Sequence, residues 1–143
     1  MMTVDAAFLT PVLALVAWTL VMWIWMYATR LPAMKAAGID PQDAADTGSL
    51  AQRLPRGARW VADNYNHLHE QPTIFYALMF FAALTGGGDS TAATLAWAYV
   101  ALRVVHSLVQ ATVNKVVVRF AVFSVGTLVL MAFTVREALR LLA

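Results

Sequence analysis

The stretch AAFLTPVLALVAWTLVMWIWMYAT, residues 6–29, carries no charged side chain over 24 positions. As a helix rising ~1.5 Å per residue it reaches ~36 Å, enough to cross the hydrocarbon core of a bilayer. A cleaved signal peptide is the competing reading. The residues MMTVDA at its start hold Asp5 and no Lys or Arg, the apolar run is too long, and no A-x-A site follows it. The stretch is therefore expected to stay as a transmembrane helix. Composition agrees: of 143 residues, 61% are hydrophobic and 13% charged, against ~45–50% and ~25% in soluble domains. Five Trp, seven Phe and a mean hydropathy of +0.66 exclude a disordered chain. The lack of cysteine excludes a disulfide scaffold. A net charge of +2 gives no basis for nucleic-acid binding.

The remaining charge-free runs are 71–88, 90–102, 104–114 and 120–135. Only the first reaches the ~18 residues of a spanning helix, so the others require a charge inside a helix. The expected fold is an all-α integral membrane protein, a bundle of four transmembrane helices over 6–29, 59–85, 90–114 and 117–138, forming one domain across 1–143. Pro32, Pro41, Pro55, Gly38, Gly48 and Gly57 mark 30–58 as a polar loop with room for a short surface helix. Gly86-Gly87-Gly88-Asp89-Ser90 is a tight break in which Ser90 or Thr91 can cap the next helix. The short connection at Asn114-Lys115 makes the third and fourth helices antiparallel neighbours. Arg30, Lys35, Arg53, Arg56, Arg59, Lys115 and Arg119 all fall on one side, with only Arg136 and Arg140 opposite. By the positive-inside rule the long loop is expected to be cytoplasmic and both termini periplasmic. An Ala- and Val-rich composition without a retention tail points to a bacterial inner membrane.

Two helices place polar residues where they are costly. Asp63, Asn66, His67 and Glu70 follow i, i+3, i+4, i+7 spacing in the second span. Arg103, His106, Ser107, Gln110 and Asn114 repeat the pattern in the third. A charge facing lipid at mid-bilayer costs at least ~2.5–3.5 kcal/mol, so the stripes are expected to face each other, another subunit or water. Pro72 cannot donate to the carbonyl of Leu68, which predicts a kink and a free acceptor beside Glu70. Taken singly, Ser107 or Gln110 reads as interhelical glue, and a Glu70–Arg103 pair could simply hold the bundle. Taken together, the stripes read as a cleft for a polar ligand. A metal set of His67, Glu70 and His106 is a weaker possibility, and none is expected: His67 and His69 point apart and no H-E-x-x-H motif is present. Without a cysteine or a G-x-S-x-G turn, any thiol chemistry needs a thiol brought by a cofactor.

The string His67-Leu68-His69-Glu70-Gln71-Pro72-Thr73-Ile74-Phe75 resembles the N-x-x-E-x-x-P-x-F signature of the MAPEG family, the membrane-associated proteins in eicosanoid and glutathione metabolism. Arg103-Val104-Val105-His106-Ser107, with Asn114-Lys115 and Arg119-Phe120 following, is similar to that family's third helix and the start of its fourth. Arg103 and Arg119 keep the sixteen-residue separation of two active-site arginines in its prostaglandin E synthase branch.

This resemblance implies a homotrimer of four-helix subunits, with glutathione entering from the cytoplasmic side and a lipophilic electrophile from the membrane lipids. The implied activity is a glutathione-dependent transferase or peroxidase. Glu70 matches the carboxylate that binds the glutathione amino group, Arg103 and His106 match ligand-binding positions, and Arg119 matches the arginine that stabilises the thiolate. Arg30 matches a basic residue near the cofactor's carboxylate, and Asn66, His67, Gln110 and Asn114 complete the implied binding set. The chain departs from the family at His67, where Asn is usual, at Gln110, often Tyr, and at Asn66 and Asp63, where glutathione-using members carry Arg. Those departures support an alternative: a non-catalytic membrane protein of the same fold that binds lipid or scaffolds a partner.

Overall fold

The computed structural model describes residues 5–143, all of their regular structure helical. Residues 1–4, part of the expected domain, lie outside the described ones. Asp5 accepts from the Ala7 N–H at 2.9 Å and starts a 3₁₀ turn, Ala6–Leu9, that runs into α1, Thr10–Ala36. Pro11 sits in the first turn of α1, where its missing N–H costs nothing. This helix passes Arg30 and Pro32 and stops only at Gly38, whose φ of +61° closes the turn. The loop expected from residue 30 therefore begins later, because a charge at the end of an apolar run marks the membrane boundary and not the helix end.

The remainder of 30–58 is folded. A 3₁₀ turn, Pro41–Ala45, leads into α2, Thr47–Arg53, and Leu50 and Leu54 pack with Met34 and Ile39 in a small separate core. The segment 59–85 was expected as one kinked span and is instead two helices, α3, Arg56–His67, and α4, Pro72–Leu84. Pro72 does not kink a continuous helix. It starts a new one at the position where an absent N–H is tolerated, after a turn over Leu68–Gln71. Helix α5, Ser90–Ala111, is capped by Asp89, whose carboxylate accepts from the Ala92 N–H at 2.9 Å. The cap expected at Ser90 or Thr91 is thus one residue earlier. Asn114, at φ +47°, turns the chain into α6, Val116–Leu142.

Three of these elements, 6–36, 90–111 and 116–142, are long and apolar enough to cross a membrane. Leu13, Ile24, Leu84, Phe120, Leu128 and Leu139 are all more than half exposed, as lipid-facing side chains must be. The core lies where α1, α3, α4, α5 and α6 meet, with Leu15, Met22, Phe75, Met79, Tyr99 and Phe133 at 0–1% exposure. Lipid is as apolar as these side chains, so close packing and buried polar bonds must hold the helices together. Ala92, Ala96 and Gly126 allow this approach: a Cβ on Gly126 would already touch the Tyr99 ring at 3.8 Å.

Candidate functional site

The polar stripes of α3 and α5 do face each other. Arg103 is 3% exposed and reaches across to the end of α3, where its Nη2 donates to the His67 carbonyl at 2.6 Å and lies 2.7 Å from His67 Nδ1. The free acceptor expected from Pro72 therefore exists one residue early: α3 stops at His67, and Arg103 takes up its carbonyl. His67 Nδ1 accepts from the guanidinium, so Nε2 carries the ring proton, 3.4 Å from the Glu70 carboxylate. No Glu70–Arg103 pair forms. Glu70 lies in the turn after α3, is 66% exposed, and has the neutral His67 ring as its nearest polar partner. The expected helical face of 63, 66, 67 and 70 ends with the helix. Against the N-x-x-E-x-x-P-x-F pattern Glu70 and Phe75 are in register, while the proline stands at 72 in place of 73.

His67 stacks on His106 with centroids 5.1 Å apart, and Phe123 of α6 packs against both rings. His106 is itself held twice: Nδ1 lies 3.1 Å from the Arg119 carbonyl, and Nε2 3.1 Å from the Gln110 amide. Both partners present oxygens, the Arg119 carbonyl and Gln110 Oε1, so a neutral imidazole donates to one or the other according to its tautomer. Asn114 Oδ1 accepts from Arg119 Nη1 at 2.5 Å. Three of the predicted residues thus position Arg119 at the start of α6. Gln110 orients His106, His106 fixes the Arg119 backbone, and Asn114 aims the guanidinium. Around them is a cleft of about 190 Å³ lined by His67, His106, Val116, Arg119, Phe120 and Phe123.

Arg119 forms no ion pair among the described residues, and neither does Arg103. Nε and Nη1 of Arg103, Oγ of Ser107 and both amide atoms of fully buried Asn64 also lack hydrogen-bond partners. Two unneutralised guanidiniums beside orphaned polar atoms suit an anionic, hydrogen-bonding ligand. The donor set fits the charged ends of glutathione. At ~190 Å³, however, the cleft is smaller than the ~300 Å³ of an ordinary small-molecule pocket. Among the described residues no three His, Cys, Asp or Glu side chains converge on a metal-sized site.

Arg30 and Asn66 are not part of this cleft. They line a different cavity, between α1, α2 and α3, so within the chain the predicted set divides in two. The sequence reasoning also missed two polar groups, one half-buried and one fully buried. Gln71 links α4 to its neighbours, donating from Nε2 to Thr127 Oγ1 at 2.7 Å and accepting from the Tyr99 hydroxyl at 3.2 Å. Glu137, 1% exposed, lies at the far end of α6 between Arg136 and Arg140. A carboxylate between two arginines in an apolar helix was the available signal.

Residues 8–139 match the sequence model of the MAPEG family. No curated protein and no solved structure matches the chain.

Proposed function

Because the chain belongs to the MAPEG family, we propose that it is a membrane glutathione-dependent transferase or peroxidase acting on a lipophilic electrophile. Helices α3 and α4 together make the second of four crossings, and three protomers complete each site. Arg119 carries the argument: a guanidinium without a carboxylate partner, aimed by Asn114 and anchored through His106, in a cleft beside lipid-exposed Phe120. Glutathione, when bound, supplies the thiol that a chain without cysteine lacks. A thiol loses its proton near pH ~8.5, and a fixed cation in a low-dielectric cleft favours its anion at neutral pH. Arginine suits this role because it stays charged there. Arg103, buried behind the cleft wall, holds the His67 ring and carbonyl in place, and Glu70, exposed in the turn, accepts from the ligand's ammonium. His67 and His106 form the aromatic wall that keeps water from the sulfur.

A second reading, lipid binding without catalysis, draws on Asp63 and Asn66 lying in another cavity. Glutathione binding to the detergent-purified protein, measured by calorimetry with the ultraviolet absorbance of the thiolate, separates the two. Saturable binding with a thiolate signal lost in Arg119→Ala, and weakened binding in Glu70→Gln, each with assembly intact, supports the enzyme. No binding at millimolar glutathione leaves the lipid reading.

A further inference from the structure

Arg103 does not line the Arg119 cleft but stands behind it, and it borders a second, much narrower space. That cavity measures about 10 Å³ and is shared by Gln71, Tyr99, Arg103, His106 and Gly126. Arg103 Nη2 commits its N–H groups to the His67 carbonyl and Nδ1. Its Nε and Nη1 are shut off from solvent and have no hydrogen-bond partner among the described residues. The same cavity offers matching acceptors. Gln71 Oε1 accepts from the Tyr99 hydroxyl at 3.2 Å and keeps a lone pair, as does the Tyr99 oxygen. His106 offers none, because its two ring nitrogens face the Arg119 carbonyl and Gln110. Gly126 leaves the space open: a Cβ there would lie 3.8 Å from the Tyr99 ring, in contact without a clash.

We infer that this cavity binds one water molecule, which accepts from the free Arg103 N–H groups and donates to Gln71 Oε1 or the Tyr99 oxygen. The volume admits nothing larger, since a single water needs ~10–15 Å³. The lining disfavours an ion: an anion would meet the lone pairs of Gln71 and Tyr99, and a cation the guanidinium. Water both donates and accepts, and it finds here the two to four polar partners that hold internal waters. Immobilising it costs less than leaving buried N–H groups of a charged side chain unmet. The water completes a polar chain, with Thr127, Gln71 and Tyr99 on one side and Arg103 and His67 on the other. That chain runs from α6 through α4 and α5 to the end of α3. Gln71, outside the cleft, thereby becomes a positioning residue for the His67 ring that lines it. The inference stands apart from the choice of ligand in the cleft.

Two measurements on the full-length protein test it. A structure at a resolution that shows ordered waters should place density about 2.7–3.2 Å from Arg103 Nε or Nη1 and from Gln71 Oε1 or the Tyr99 oxygen. A dry cavity, a direct Arg103–Tyr99 bond, or a peak that bromide replaces in anomalous scattering overturns the water, whether or not any variant folds. Nitrogen-15 NMR of histidine-labelled protein, with only three histidines to assign, reads the positioning. Gln71→Met keeps the side-chain length and removes the acceptor, so His67 Nδ1 should lose its Arg103 donor and shift downfield. Gln71→Glu restores an acceptor and should return the signal. An unmoved His67 signal in Gln71→Met, or a shift that Gln71→Glu does not reverse, overturns Gln71 as a positioning residue. Neither readout involves glutathione, so failure of either leaves the enzyme proposal standing.

Discussion

Glu137→Gln tests whether the buried charge cluster at the far end of α6 holds the α4–α5 connection in place. The Glu137 carboxylate is 2% exposed and divides its oxygens between two arginines. Oε1 pairs with Arg136 Nη1, while Oε2 accepts from Arg140 Nε at 3.1 Å and Nη2 at 2.8 Å. Those arginines in turn hold the connection: Arg140 donates to the Thr85 carbonyl at 3.0 Å and its hydroxyl at 2.6 Å, and Arg136 to the Gly87 carbonyl at 3.3 Å and the Asp89 carboxylate. Glutamine keeps one acceptor, turns an NH₂ toward a guanidinium and leaves two cations without their central anion. Removing one partner of a buried pair costs ~3–5 kcal/mol. Both arginines keep some exposure, 21% and 28%, and other acceptors, so the expected loss is at the lower end, about 3 kcal/mol. Unfolding in mixed micelles of mild detergent and SDS, followed by helical circular dichroism, measures it. Hydrogen exchange at Thr85–Asp89 should rise in parallel. In a double-mutant cycle Glu137→Gln and Arg140→Gln should be strongly non-additive. A change below about 0.5 kcal/mol for Glu137→Gln, within the range of ordinary surface substitutions, would refute the reasoning.

Further predictions concern turns and the core. Asn114→Ala should cost about 1–2 kcal/mol, because alanine resists the φ of +47°; Asn114→Gly should spare stability yet reduce the bound thiolate absorbance, because Arg119 loses its Oδ1 partner. Tyr99→Phe should cost about 1 kcal/mol in the same unfolding assay, by removing the 3.2 Å bond to Gln71. The Ala92 N–H, with the Arg136 guanidinium, holds the Asp89 carboxyl below its usual value. With the folded value depressed, its contribution is present above the ordinary carboxylate pKa of ~3.9 and is lost as pH falls through the folded value. Acid below about pH 4 should therefore loosen the Gly86–Asp89 connection in exchange measurements, and Asp89→Asn should abolish that dependence.

Residue types and spacing by themselves determined the membrane as solvent, the helical class and the two polar stripes, because each is a local property. A 24-residue run without charge has only one stable solvent, and i, i+3, i+4 spacing places side chains on one face whatever they meet. Arg103, His106, Ser107 and Gln110 were legible as buried polar groups for that reason. Which partner each would choose depended on three-dimensional geometry. Glu70 and Arg103 look like a pair in sequence, yet α3 ends at His67, and Arg103 meets a carbonyl and an imidazole instead. Asn66 and His67 are adjacent in the chain and line different cavities, because successive helical residues point about 100° apart. Only the packing of α2 under the end of α1 could show that Arg30 belongs with Arg59 and Asp63, since no sequence period connects residues that far apart.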